Sequence, residues 1–473
     1  MEGVFDQVRP GMGTGRHPKR DPDAKPGREN PKVKFTKIAV VTATTAALAL
    51  GLAACGSSEP ATETAPKADA SAGGKKFEGK TLTLWRLGES NPAAQKYTDA
   101  LVAAFEQQTG AKTKVEWIPW PQVNDKFTAA AAGGAGPDVT EIGNDQVPLW
   151  RSQDALHPIT PVFGEGDQAQ IPKNLLSLET DGGEIYASPW GMGTRAVLYR
   201  KDWFDELKIE TPKTWDDVVA AAKKIQAEKG KDVDGFAFNG GSDANHLLGA
   251  FAWSEGGEYA LKEGDKWVGK LTDPAFKAGF DTYTKIVTEG LSSKSRLGQN
   301  SADIRTRFAN GKVGMYLTAG WDIATIKEES SGKVAEDQMA FFPLPSKSGG
   351  ATPAFFGGND IAVWNDAKDK DLATEFVKFA TTKEWAGRYA SEGGLLPIYP
   401  EQLEKLKEDP AQAPFAEAFA NAKALPADSN WTEAGETKAV LQNAARSVIE
   451  GKATADEALA KANTELEEIL NQQ

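Results

Sequence analysis

Between Thr81 and Ile142 the chain alternates strand-like and helix-like segments, and this alternation restricts the fold more than any other feature of the sequence. TLTLWRL (81–87) alternates apolar and polar residues and is rich in β-formers. NPAAQKYTDALVAAFEQQTG (91–110) puts Tyr97, Leu101 and Phe105 on one helical face and ends on Gly110. KTKVEWI (112–118) reads as a second strand, PQVNDKFTAAAAGG (121–134) as a helix and PDVTEI (137–142) as a third strand. Strand, helix, strand, helix, strand predicts a parallel α/β sheet with right-handed crossovers. Ligands of such sheets sit at the carboxyl ends of the strands. That puts Gly88-Glu89-Ser90 and Asn144-Asp145 at the edge of a candidate site.

Further on, IYASPWGMGTRAVLYR (185–200) reads as an extended pair broken by Gly191 and Gly193. TWDDVVAAAKKIQAEKG (214–230) is a helix opened by a capping box from Thr214 to Asp217. DGFAFN (234–239) and MAFFPLP (339–345) are strands, and SADIRTRFANGKVGMYLTAGWD (301–322) is helix, turn and strand with Trp321 in the loop that follows. GGATPAFFGGNDIAVW (349–364) is a glycine-rich crossing that leads into another strand. Residues 370–394 form one or two helices, and the tail from 401 is helical apart from KALPADSNWTEAG (423–435).

Everything before this body is of another kind. Residues 1–32 are polar, rich in Gly and Pro and without periodicity, which predicts a disordered extension. Lys32, Lys34 and Lys37 then precede the apolar, uncharged run IAVVTATTAALALGLAA (38–54), and this pattern predicts a secretory signal peptide over 33–54. Ala and Thr dilute the run, so a permanent span is the weaker reading. Because signal peptides start near their basic patch, translation is expected to begin at Val33; a precursor that retains Met1 in intact mass would overturn this. Leu52-Ala53-Ala54-Cys55 resembles the lipobox of bacterial lipoproteins, which implies cleavage before Cys55 and lipid on its sulfur. More than one acyl chain holds a protein stably at a membrane. Residues 56–76, rich in Ala, Ser, Thr, Pro and Glu, read as a flexible tether. Cys55 is the one cysteine of 473 residues, so no internal disulfide is available and the fold must rest on its core.

Roughly 400 residues remain for the body, which is too many for one ordinary core and predicts two domains. Residues 1–54 carry nine Lys/Arg and five Asp/Glu, so cleavage takes the formal charge from -13 to -17. So acidic a body argues against nucleic acid or anionic lipid as its partner. His157 and His246 are the histidines left, and with no His/Cys cluster no metal or other cofactor is expected. All 13 Trp lie in the body, which favours a ligand that offers flat apolar faces, as sugars do. GKKFEGKT (74–81) matches the P-loop pattern, but a tether precedes it and a strand follows, the inverse of the context that phosphate binding needs.

Several motifs, in order, carry a resemblance. They are GPDVTEIGND, the block YASPWG…LYRKDWF…PKTWDDV, FANGKVGMYLTAGWD, FFGGNDIAVW followed by an A-x-x-F-x-x-F helix, and GKATADEAL. From residue 79 to the C-terminus the chain resembles the extracellular solute-binding proteins of bacterial ABC sugar importers, in the maltose-binding-protein-like group. The resemblance implies an α/β, two-lobed periplasmic-binding-protein-like fold, each lobe a mostly parallel sheet flanked by helices. Three hinge crossings are expected, near Trp190–Gly193, Pro353–Asn359 and Gly394–Pro400. The N-lobe would be 77–190 and 359–395, and the C-lobe 191–358 and 396–473. It further implies a monomer, lipid-anchored on the extracellular face of the cell membrane, that captures a sugar between its lobes and hands it to the permease without chemistry on it.

Carried over residue by residue, the resemblance points to Trp321 as the ring that stacks on sugar and to Asp145 as a sugar-binding acid, with Asn144 beside it. Either Asn144 or Asp145 could equally cap a helix. Glu89 could accept from two hydroxyls or be a solvated loop acid. Asp322, Trp431, Trp190, Phe355, Phe356, Asn359, Arg195 and His246 are further candidates, each of which could instead pack or brace. Asp138 is expected to be structural, and Trp85, Trp215, Trp253, Trp364 and Trp385 to be core. The family's maltose binders often carry a tyrosine and an acid after the strand equivalent to FAFN; here GGSDAN (240–245) follows it, which leaves the sugar open. The competing classes are an exported glycoside hydrolase, which needs two carboxylates at defined separation, and a receptor for a non-sugar solute such as a polyol. A phosphate-bearing ligand would want a basic cluster, of which Arg195 is the sole sign.

Overall fold

The structure is a computed structural model that describes residues 75–472 other than 89, 242, 347–348, 410–411 and 421. Cys55, the segments on either side of it and Glu89 therefore lie outside the described residues. The described residues fall within one compact unit, Ala72–Gln473.

Its first sheet grows from the alternation read in the sequence. Thr81–Leu87 pairs in parallel with Lys112–Ile118 on one side and Val139–Gly143 on the other. Gly357–Trp364 then lies antiparallel to Val139–Gly143, Leu156–His157 and Ala187–Gly193. In the second sheet the order is Met339–Phe342, Ala196–Arg200, Val313–Thr318, Asp234–Phe236, and the last pair alone is parallel. Both sheets are therefore mixed, where mostly parallel ones are expected. A crossover helix fixes the direction only of the strands it joins. Gly357–Trp364 enters the first sheet from the second, so nothing in the local pattern sets its sense.

Side-chain alternation places the core. Leu82 and Leu84 point to one face of the first sheet, where Tyr97, Leu101 and Phe105 of the helix Pro92–Thr109 cover them. Trp85 and Leu87 point to the other, where Trp85, Phe127, Trp150 and Trp364 form an aromatic cluster. The second sheet has its own two-sided core, with Val197 and Tyr199 on one face and Leu198 on the other. Asn91 caps the helix Pro92–Thr109, Gly110 ends it in the left-handed conformation, and Thr214 and Asp217 close their capping box. Thr81 opens a strand, so no helix N-terminus follows GKKFEGKT. Residues 370–394 form two helices, Lys370–Ala380 and Lys383–Gly393.

The segments expected to cross between the halves lie side by side. Gly191 and Gly193 pair with Asn359 and Gly357, and Met192 exchanges both backbone hydrogen bonds with Leu396, at 2.8 and 2.7 Å. Trp190–Gly193 is therefore part of a strand and Gly357–Asn359 the start of another, while Pro353–Phe356 precedes it. The third is drawn out along the chain: Leu396, Ile398 and Tyr399 still pack in the first sheet's core, and Leu425 is the next residue found in the second's. Between them Phe415 joins the first core while meeting Phe341 of the second sheet edge-on at 4.6 Å.

Candidate functional site

Strand Val139–Gly143 ends in the single turn Asn144–Gln146, which presents Asp145 at a carboxyl strand end. Facing it is the first turn of the helix Asn245–Ser254, where His246 Nε2 lies 3.7 Å from an Asp145 carboxylate oxygen. The other imidazole nitrogen, Nδ1, is 2.9 Å from the Arg195 guanidinium. Because Arg195 can only donate, that nitrogen is the acceptor and His246 carries its proton on Nε2, toward Asp145. Burial first, and then Arg195, lower the His246 pKa, so the ring is neutral at pH 7. Phe355 stacks on the imidazole at 4.0 Å and 6°. The guanidinium lies 5.1 Å from the Phe355 ring and 5.7 Å from the Trp321 ring. Burial pulls the Arg195 pKa down, opposed by Asp243, Asp145 and Asp322.

Trp321 is held by glycine. A Cβ on Gly394 would fall 2.4 Å from the carbonyl carbon of Gly320, so these two backbones touch only because neither carries a side chain. A Cβ on Gly193 would meet the indole at 3.0 Å. Asp145, Arg195, His246, Phe355 and Trp321, all candidates from the sequence, thus form one continuous set.

Other candidates are placed elsewhere. Trp190 is fully buried, donates to the Ala380 carbonyl at 3.0 Å and stacks on Tyr389. Trp431 is 2 % exposed and packs edge-on to Tyr259. Asp322 is buried and accepts from the Tyr316 and Thr318 hydroxyls at 2.7 and 2.6 Å, with Arg305 nearby. Asn359 donates to Glu141 at 2.6 Å and to the Tyr389 hydroxyl at 2.7 Å. Phe356 packs on Phe419, and Asn144 is buried in its turn. For Trp190, Trp431, Asn359 and Phe356 a partner from far along the chain claims the group, whereas Asp322 is held by hydroxyls four and six residues before it. Asp138, as expected, is structural: its oxygens accept from the backbone of Thr83 and Lys368.

The sequence reading passed over the groups that complete the set. Asn124, in the first turn of Val123–Gly133, donates to Glu436 at 3.1 Å and accepts from Gln146 at 3.2 Å. Asp243 accepts from Asn239 and Ser301. Trp120 is 40 % exposed, and its indole lies against Gly88 at the end of the first strand. Trp120 did carry a signal, as an aromatic just past a strand's carboxyl end and before the helix of Asn124. Glu436 carried none. The combined surface is rich in acceptors and aromatic faces, which suits a ligand with many hydroxyls. Cavities of about 180 Å³ beside Trp267 and Leu425 and about 120 Å³ beside Met192 and Leu403 lie away from these residues.

Residues 89–387 match the family described as bacterial extracellular solute-binding protein. The diacetylchitobiose binding protein DasA of Streptomyces coelicolor is 30% identical over 392 residues, 82% of this chain and 89% of that one. An arabinooligosaccharide-binding protein of Halalkalibacterium halodurans is 24% identical over 329 residues, 66% of this chain and 70% of that one. Among solved structures, an ABC transporter solute-binding protein of Thermotoga lettingae bound with α-D-tagatose superposes with a TM-score of 0.74 at 23% identity, over 83% of this chain and 100% of the other, a likeness of fold.

Proposed function

Because this chain belongs to the bacterial extracellular solute-binding protein family, we propose that it is the sugar receptor of an ABC importer. The sugar, a di- or oligosaccharide, binds between the halves built on the two sheets and is passed to the permease unchanged. One observation carries the reading. Asp145, at the end of a strand of the first sheet, meets His246, and Arg195, just before a strand of the second, bonds that imidazole from its other side beside two aromatic rings. A ligand held there touches both halves and so stabilises their closed arrangement. Relatives named for diacetylchitobiose and arabinooligosaccharide support a sugar as the class. The 77–190 and 359–395 segments act as one lobe and 191–358 and 396–473 as the other, with the stretch 396–419 shared in packing.

Cys55 is the lipid attachment point that keeps the receptor, as a monomer, on the outer face of the cell membrane. Labelling with a lipid precursor, lost in Cys55→Ser, tests this.

Calorimetric titration of the purified protein with maltose, trehalose, cellobiose, xylobiose, chitobiose and diacetylchitobiose tests the main reading. One of them is expected to bind at micromolar strength, about -8 kcal/mol. Silence from the whole panel with folded protein sinks it, and hydrolysis of a bound sugar would turn the reading toward a glycosidase.

A further inference from the structure

The loop before the C-terminal helices contains an unusual piece of backbone. Glu433–Thr437 is a π-helical turn, a form that occurs in single turns and is frequent at functional sites. Two residues after it Ala439 sits in the left-handed region at φ 50°, ψ 45°, which is strained for a residue with a Cβ and persists only where its surroundings enforce it. Here they do. Asn245 and Gln442 each donate a side-chain amide to the Gly435 carbonyl at 2.7 Å, and a Cβ on Gly435 would lie 2.8 Å from the Asn245 amide nitrogen.

What this turn delivers is Glu436. Its carboxyl is half-buried and reaches Asn124, on the opposite half, at 3.1 Å. The charges bearing on it are other acids: Asp145 at the end of Val139–Gly143 and Asp243 ahead of the helix Asn245–Ser254. The neighbouring cations have their own partners. Arg195 bonds His246, and on Glu436's own turn Lys438 pairs with Glu433 at 3.5 Å. Burial, then Asp145, push the Glu436 carboxyl up to about 8, with the Asn124 bond working against them and Asp243 adding to the rise. At pH 7 the group therefore carries its proton.

We propose that Glu436 is a specificity-determining residue of the sugar cleft, where it stands as a neutral carboxylic acid and donates a hydrogen bond to an acceptor oxygen of the sugar. Resting on the receptor reading above, this adds to it a carboxyl that can give a hydrogen bond as well as accept one. Such a site rewards a sugar that presents a bare acceptor, a ring or glycosidic oxygen or an amide carbonyl, beside its hydroxyls. An ionised glutamate in the same place would reject that acceptor.

The test is calorimetry of the whole purified protein with the same sugar panel at pH 7 and pH 9, in wild type, Glu436→Gln and Glu436→Ala. Wild type is expected to bind about tenfold more weakly at pH 9, because only about a tenth of the molecules keep the donor proton one pH unit above 8. Glu436→Gln, which has a donor at every pH, is expected to show equal affinity at both. Glu436→Ala should be weak at both while its thermal midpoint and circular dichroism stay those of a folded protein. A flat wild-type profile, or the same loss at pH 9 in Glu436→Gln, overturns the assignment and leaves the receptor reading in place. Failure of every sugar to bind wild type at pH 7 overturns both.

Discussion

Glu141 and Asp145 are four residues apart on one strand and turn, yet they sit in opposite kinds of surroundings. One Glu141 oxygen accepts from Arg86 at 2.8 Å and the backbone of Leu87 at 2.9 Å, and the other from Tyr389 and Asn359, both at 2.6 Å. Burial alone would lower the Arg86 pKa; Glu141, with Tyr389 and Tyr97 adding to it, more than offsets this, and the net shift is upward. Around that guanidinium stand Trp190, Trp117, Tyr389 and Tyr97 at 4.7–5.8 Å. Asp145, by contrast, has His246 at 3.7 Å, and its side chain is 18 % exposed. A carboxylate with all its bonds made is structure. A carboxylate with loose geometry beside aromatic faces has capacity left for a ligand.

The comparison can be broken most severely at Glu141. Glu141→Ala strands a buried guanidinium, and urea unfolding should show a loss of about 3–5 kcal/mol; a loss as small as that of a surface change would refute the claim that this pair is structural. A second buried pair tests the same contrast through pH. Burial first raises both Glu179, to about 7, and Asp360, the latter well above its ordinary range, and their mutual repulsion adds to the rise on Asp360. A carboxyl raised on folding favours the folded state at low pH, and that advantage is lost as pH climbs from the ordinary 4.5 toward 7 and beyond. Asp360→Asn is therefore expected to be stabilising relative to wild type at pH 8 and less so at pH 5, by denaturant midpoints at the two pH values.

Smaller effects are expected on the ligand side. Trp321→Ala should weaken sugar binding by about tenfold, some 1.4 kcal/mol, with the fold retained; unchanged affinity would remove this ring from the site. Trp120→Ala, at the exposed edge, should cost about threefold and be felt by longer sugars before shorter ones, which a series of oligomer lengths would reveal.

Much of the architecture was readable from local rules. The helix face of Tyr97, Leu101 and Phe105, the capping box at Thr214 and the three parallel strands depend on neighbours a few residues away, and all are present. The sense of Gly357–Trp364 was not readable, since it pairs with strands more than 160 residues earlier. Site residues divide the same way. Asp145 and Trp321 follow strand ends, so topology alone brings them to one edge. Trp190, Trp431 and Asn359 have side chains equally suited to a cleft or a core, and what settles their place is Tyr389, Tyr259 and Glu141, which no local pattern connects to them. Glu436 was missed because a π-helical turn has no periodicity to detect.

The backbone bonds between Met192 and Leu396, and between the strands of Gly193 and Gly357, have a mechanical consequence. Three separate strings would let the two halves swing and twist independently. Joined edge to edge, they form a short ribbon, soft to bending across its width and stiff to shear within its plane. Movement of one half against the other, as proposed for the receptor, would thereby be reduced to a single angle. The grip on a sugar would then be set by how far that angle closes, and a substitution at Gly191 or Gly358 would act as a wedge, changing the angle at rest without touching the ligand.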